Sequence, residues 1–498
     1  MAVRPLNREQ AWLMPPTLDE LLAADHPARF VAEFVDALDN SVWTELEVEL
    51  GGERMGAPCY HARGLLGVWL YGFMTGVRST RGLERACRDQ IPYLWLMGMQ
   101  QPDHNTLWRF YRDHRYAMRR LLKETVGTAA TMGLLTLAVQ AVDGTKVAAS
   151  AATDRTFDAE SLARLLARTE EAIRELEAQN EGGQEAVDER LPKELATAEA
   201  LRGKIKHAMA QLEGQEGLER INLTDADAKL MKGGQGFLTG YNAQAMVSPL
   251  EPSTDEDPGG LLITAADVAP DSHDQAQLIP MMEQAEEMTG DKAQVTLADA
   301  GYHSGENLQA CYQRQVLMAE SQRRALEHPY HKDRFTYETE TDSYICPQGK
   351  QLPFRRIKKT RGISMRVYRA TGVICRACPA FGTCTKDGRH GRALEIGPYD
   401  AVLRSHRELM STEQAKQAYK RRKELPEPVF GQLKEQQGAR QFLLRGLAHV
   451  SAEWVLLVTA FNLRTLWRTW AVRGSRKWAH VWAPLAITTA QRNQFSPS

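Results

Sequence analysis

Between Leu137 and Ser304 the chain runs through short β-rich segments, two long helical stretches, more β-rich segments, a helix and a last β-rich segment. LAVQAVDGTKVAAS (137–150) is apolar until it reaches polar and small residues. AKLMKGG (228–234) and GYNAQAMVS (240–248) read as a hairpin around a glycine-rich turn, and LLITAADVAP (261–270) as a further strand. A helix then extends to about Glu287, and AQVTLADAGYHS (293–304) returns to strand texture. Such apolar segments, bounded by Gly, Pro and Asp and interleaved with helical periodicity, predict a mixed α/β core.

Other segments read as additions to this core. From Phe157 to Leu212 apolar residues step by three or four (Leu162, Leu165, Ile173, Leu176; then Leu191, Leu195, Leu201, Ile205, Met209), with Asn180-Glu-Gly-Gly183 between the two series. This predicts a two-helix hairpin with a charged exterior, inserted at 157–215. The first 130 residues read as all helical, with RGLLGVWLYGFMTGV (63–77) as a buried helix and Ser79 and Asp103 as N-caps. Residues 405–424 are helical, a helix follows from Pro428 to about Gln437, and an apolar helix begins at Ala452. The expected division is 1–130 helical DNA-binding and dimerisation domain, 131–320 with 395–475 catalytic core, 321–394 cysteine-containing insertion, and 476–498 flexible tail.

Charge is distributed unevenly. The net charge of −1 conceals +18 over residues 351–498, and residues 62–123 carry 11 basic against 4 acidic residues. Lys and Arg contacts to phosphate supply most non-specific nucleic-acid affinity, so two basic regions in a neutral chain point to DNA. Short helices ending in one that carries Arg109, Arg112, Arg119 and Arg120 fit a helix-turn-helix-like reader, with Arg109 and Arg112 as candidate DNA contacts. MAVRPLNREQ has no apolar core of a secretory leader, and Trp454–Leu463 is too short to span a bilayer, so the expectation is a cytoplasmic protein without membrane contact.

Three acidic residues stand where chemistry could use them. Asp143 in AVDGTKV and Asp299 in VTLADAGYHS each close an apolar run, and Glu427 opens a helix in ELPEPVFGQLKE. Carboxylates are hard ligands suited to Mg²⁺ or Mn²⁺. Two such ions would stabilise the attacking and leaving oxygens of an in-line displacement at phosphorus. Two strand-end aspartates and a helix glutamate on this order of elements suit an RNase H-like sheet. Lys434, seven residues after Glu427, shares its helix face.

VDGTK, LADAGYHS and YKRRKELPEPVFGQLK, with GYNAQ, DHNTLWRFY and FLLRGLAHVSAEWVLLVTAFNL, resemble the DDE transposases of bacterial insertion sequences, specifically the group named for insertion sequence 1182. The resemblance covers roughly residues 10–470. It implies that Asp143, Asp299 and Glu427 hold two Mg²⁺ or Mn²⁺ ions and that Tyr419, Arg422 and Lys434 serve the DNA. It also implies cleavage of terminal inverted repeats with strand transfer into target double-stranded DNA, by a homodimer. The family signature Y-x2-R-x3-E-x6-K is met by Tyr419, Arg422, Glu427 and Lys434 except that four residues separate Arg422 from Glu427, so either one residue is extra or Lys423 replaces the arginine. The competing expectations are an inactive transposase-derived DNA-binding protein and a plain RNase H-like nuclease. Cys346, Cys375, Cys378 and Cys384 are candidate structural zinc ligands, with inert thiols as the alternative and His390 as a substitute ligand.

Overall fold

The computed structural model describes residues 16–48, 59–181, 193–215, 217–233, 236–252, 259–269, 271–320, 327–360 and 362–473. The flexible tail expected at 476–498 and the Gly182-Gly183 turn of the expected hairpin lie outside the described residues.

Among the described residues, seven helices precede the sheet: α1 (Pro27–Ala37), α2 (Asn40–Glu45), α3 (Ala62–Thr75), α4 (Thr80–Asp89), α5 (Ile91–Leu96), α6 (His104–His114) and α7 (Arg119–Thr131). The starts of α4 and α6 are set by side-chain caps: the Ser79 hydroxyl accepts the Gly82 N–H at 3.1 Å and Asp103 accepts that of Thr106 at 2.7 Å. Each such cap is worth about 1 kcal/mol. Ten successive residues of α3, Leu65–Met74, are buried, because helices cover it on every side. Gly76 ends it in the left-handed conformation, at a φ of 83° that a side chain would resist.

The sheet begins with β1 (Val139–Ala148). A short pair, β2 (Thr156–Phe157) and β3 (Ile221–Asn222), closes the base of a two-helix hairpin, α8 (Ala159–Glu181) and α9 (Lys193–Gly214). Leu162, Ile205, Ala208 and Ile221 form its own small core. Then come β4 (Lys229–Gly233), β5 (Gly236–Leu250), β6 (Gly260–Ala269), α10 (Leu278–Thr289), β7 (Val295–Ala298), α11 (Gly305–Ala310) and β8 (Gln315–Met318). The strand order is β6-β5-β1-β7-β8, with β4 sharing the β6 edge of β5. The β6–β5 and β5–β1 pairs are antiparallel, and the β1–β7 and β7–β8 pairs are parallel. Every residue of β5 from Thr239 to Ser248 is buried, as a strand covered on both faces must be.

The period-two alternation of the strands sorts their side chains into two cores. Ala141, Ala245, Leu297 and Leu317 enter the main core, while Val142, Met246, Ala298 and Met318 enter a second one under α10.

A second sheet follows: β9 (Thr336–Glu338), β10 (Ser343–Ile345), β11 (Gln351–Thr360) and β12 (Ile363–Arg369), then α12 (Gly372–Arg376) and β13 (Ala393–Ile396), all strands antiparallel to their neighbours. It packs around Phe335, Tyr344, Leu352, Tyr368 and Leu394. The chain returns to the first sheet through α13 (Asp400–Ser411), α14 (Glu413–Lys420), a 3₁₀ turn (Arg421–Glu424) and α15 (Pro426–Glu435). α15 begins two residues before the expected Pro428, because Pro426 fills a first-turn position where its missing N–H costs nothing.

The last described helix, α16 (Leu447–Arg473), backs both the sheet and the N-terminal helices. The Trp454 indole donates to Gln244 O at 2.9 Å. The Asn462 amide donates to Ile263 O at 2.8 Å and to the Thr125 hydroxyl at 3.1 Å, and accepts the Ile263 N–H. Glu453, 1% exposed, pairs with Arg78 from the loop before α4 and accepts the Leu443 and Leu444 N–H groups. No helix among the described residues is long and apolar enough to cross a membrane.

Candidate active site

β1 and β7 run parallel with Ala141 opposite Leu297, so Asp143 lies two residues beyond that pair on β1 and Asp299 two beyond it on the other chain segment, one residue past the end of β7. Asp143 Oδ1 accepts the Gly144 N–H at 2.9 Å, and its Oδ2 faces Arg422 Nη1 at 3.1 Å. Burial pushes the Asp143 carboxyl up to about 6; Arg422 opposes that rise and the negative charge of Asp299 adds to it. Asp299 Oδ1 accepts the Gly301 N–H at 2.7 Å, which turns the chain sharply at the strand end.

The helical side of the site comes from α14, the 3₁₀ turn and α15. The Tyr419 hydroxyl donates to Ala298 O at 3.2 Å, one residue before Asp299. The tighter 3₁₀ winding of Arg421–Glu424 turns Arg422 inward onto Asp143 and leaves Lys423 exposed. Arg422 is thus the cation beside the carboxylate despite the extra residue before Glu427. Lys434 Nζ donates to Thr145 Oγ1 at 2.6 Å, and burial lowers its pKa.

Glu427 lies exposed in the first turn of α15, on the Lys434 face, and no hydrogen bond or ion pair among the described residues joins it to either aspartate. No group of three or more His, Cys, Asp or Glu side chains among the described residues is gathered so as to hold a metal ion as the side chains stand. The donor chemistry still fits a hard divalent cation. Asp143 is largely buried, the charge of Asp299 acts on it, and the arginine Arg422 pairs with it while Lys434 reaches the neighbouring Thr145.

Four residues that the sequence did not single out as site residues sit behind these aspartates. Asp274 Oδ1 accepts from Asn242 Nδ2 at 2.7 Å and from Gln244 Nε2 at 2.8 Å, and the Tyr302 hydroxyl donates to Gln244 Oε1. The usable signal was Asn242 and Gln244, polar residues at alternate positions of an otherwise apolar strand.

Arg109 and Arg112 are both exposed on α6, Arg112 paired to Asp113 at 2.7 Å. Trp69 stacks on Tyr111 (centroids 4.6 Å apart), packing the opposite face of α6 onto α3. Several neighbouring cations serve the fold: Arg78 is buried against Glu453, Arg115 reaches His449, and Arg120 pairs with Glu45 and Glu124.

Cys346, Cys375, Cys378 and Cys384 line one cavity beneath the second sheet. The Lys350 N–H donates to Cys346 Sγ and the Arg392 N–H to Cys375 Sγ, each at 3.3 Å. His390 is outside that lining, 3.2 Å from Asp387.

Residues 345–467, spanning these cysteines and Tyr419, Arg422, Glu427 and Lys434, match the family model described as Transposase DDE domain. Residues 16–113 match the model described as Transposase domain (DUF772). No curated protein matches the chain. Both matched regions are therefore transposase domains, one of the DDE type. These matches support an insertion-sequence DDE transposase, and domains of the DDE type generally use divalent metal ions.

Proposed function

We propose that this transposase cleaves the ends of its element and joins them to target DNA at a site built from Asp143, Asp299 and Glu427, on an RNase H-like sheet. The placement of Asp143 on β1 and of Asp299 just past the parallel neighbour β7, close enough for the one charge to act on the other, carries this reading. The strand order, three antiparallel strands followed by two parallel ones, supports the sheet assignment. Within the family, the insertion sequence 1182 group is the assignment favoured by the VDGTK, LADAGYHS and ELPEPVFGQLK strings.

Asp143, Asp299 and Glu427 would hold two Mg²⁺ or Mn²⁺ ions, Glu427 closing from its exposed position on α15. When bound, the ions would make an attacking oxygen nucleophilic and neutralise the leaving one. Lys434 and Arg422 would hold backbone phosphates beside the carboxylates, while Tyr419 buttresses the strand end through Ala298 O. Water attacks the phosphodiester at the element end, its P–O bond breaks, and a 3′-OH is freed. That hydroxyl then attacks a target phosphodiester in line, forming one P–O bond as another breaks, so one site serves both steps. Arg109 and Arg112 on α6 would contact the terminal inverted repeats, and two ends held together call for a homodimer. We assign the protein to the cytoplasm, associated with the nucleoid when it acts.

The cysteine cavity is read as a structural zinc site. Four thiols on one small module and backbone N–H groups directed at two sulfurs suit thiolates drawn onto a tetrahedral ion.

Asp143→Ala is expected to abolish Mg²⁺-dependent nicking of the element's end while DNA affinity in a mobility-shift assay stays within a few-fold. Wild-type nicking by this variant would sink the assignment. Retained DNA binding with no cleavage by wild-type protein in either Mg²⁺ or Mn²⁺ would support the alternative, a transposase-derived DNA-binding protein without activity.

A further inference from the structure

Asn242 and Gln244 point away from the face that carries Asp143. The register sets Gln244 opposite Gly144 and Asn242 opposite Lys146, whereas Asp143 is paired with Ala245, so the pleat places the two amides on the far side of the sheet. Asn242 is 3% exposed, and Gln244 and Tyr302 are fully buried. Buried amides need partners, and Asp274 is the shared acceptor for both.

Two glycines let this carboxylate approach the aspartates. A Cβ on Gly144 would stand 2.3 Å from Gln244 Nε2 and 2.6 Å from Asp274 Oδ1. A Cβ on Gly301 would stand 3.0 Å from Asp274 Oδ2 and equally 3.0 Å from Asp299 Oδ1. Asp274 therefore faces Gly144, next to Asp143, with one oxygen and Gly301, in the turn that holds Asp299, with the other. The same turn is tied from below, where Asn307 Nδ2 donates to Tyr302 O at 2.8 Å and to Gln275 O at 2.7 Å.

We propose that Asp274 is a positioning residue for the two aspartates. Through Asn242, Gln244 and the Tyr302 hydroxyl it fixes the Gly144 backbone and the Gly301 turn in one register, and thereby the spacing at which Asp143 and Asp299 meet a cation. The inference rests on the metal-dependent reading of these aspartates. What matters is the accepting oxygen, which Asn would keep and Ala would lose.

The test uses the full-length protein carrying Asp274→Ala, Asp274→Asn or Asp143→Ala. Binding of Ca²⁺, as a non-reactive cation, is read by calorimetry, single-turnover nicking with Mg²⁺ is measured separately, and far-ultraviolet circular dichroism checks folding. Asp274→Ala is expected to weaken Ca²⁺ binding and slow nicking by at least tenfold without changing DNA affinity, and Asp274→Asn to restore most of both. Wild-type Ca²⁺ affinity and nicking in Asp274→Ala would overturn the proposal. Equal impairment in folded Asp274→Asn would also overturn it, since the charge rather than the accepted hydrogen bonds would then matter. Asp143→Ala separates the two claims: if it binds Ca²⁺ and nicks normally, the metal-site reading itself fails, and if it is inactive beside a normal Asp274→Ala, only the positioning role fails.

Discussion

Arg422 Nη1 stands 3.1 Å from Asp143 Oδ2, with both side chains largely withdrawn from solvent, so the cation of the 3₁₀ turn and the carboxylate of the central strand form one electrostatic unit. A divalent ion on Asp143 would compete with Arg422 for the same oxygen. Arg422→Ala should therefore leave the two carboxylates undercompensated and destabilise the metal-free protein by about 1–3 kcal/mol. Added Ca²⁺ should raise the variant's melting temperature more than that of the wild type, because ligand binding to the folded state alone stabilises it. Equal Ca²⁺ responses in calorimetric scans would show that Arg422 does not share the cation's place.

The Arg78–Glu453 pair joins the N-terminal helices to α16 across 375 residues of sequence. Both side chains are almost completely buried, and Glu453 also accepts two backbone N–H groups. Glu453→Ala should cost about 3–5 kcal/mol in urea unfolding, the usual penalty for stranding a buried charge. Adding Arg78→Met should recover part of that loss in a double-mutant cycle.

His406, 6% exposed, lies beside His303, Glu320 and Arg407, and its Nε2 accepts the Met318 N–H at 3.4 Å. Burial and the neighbouring His303 depress its pKa to about 4, so the folded protein keeps it neutral while the unfolded chain protonates it near 6.5. The unfolded state then binds more protons between these values. Stability from this group is complete above about pH 6.5 and lost as pH falls toward 4, by up to about 3 kcal/mol. His406→Gln should flatten that part of a stability-against-pH curve; an unchanged slope would exclude His406 as its source.

Purified protein is expected to carry about one zinc ion per chain by elemental analysis, held by four thiolates. Cys375→Ser with Cys384→Ser should remove it and lower the melting temperature of the second sheet. A zinc-free preparation as stable as one supplied with zinc would leave the thiols as ordinary packing.

Much of the first sheet was legible because its strands are apolar and bounded by Gly, Pro or Asp, and the aspartates because they follow apolar runs directly. Asp274 was not. It lies in the polar loop DSHD, where a carboxylate is unremarkable, and its partners Asn242 and Gln244 reach it only once β5 is in register with β1. The second sheet was hidden for another reason: β11 carries Arg355, Arg356, Lys358 and Lys359, so charged residues mask the apolar alternation that marks a strand. Glu427 was readable as a motif residue, yet helix spacing alone did not reveal that it would stand exposed.

α16 also imposes an order in time. Trp454, Glu453 and Asn462 close a sheet face and a helical domain that are synthesised far earlier, and Arg422 and Lys434 reach β1 only from the same late part of the chain. At about 5–20 residues per second, roughly 15–60 s of translation separate Asp143 from Glu453. Until then the strand carrying Asp143 has neither its backing helix nor its basic neighbours. A ribosome that stalls before residue 447 would release a chain with its first sheet unsealed, material for chaperones and proteases.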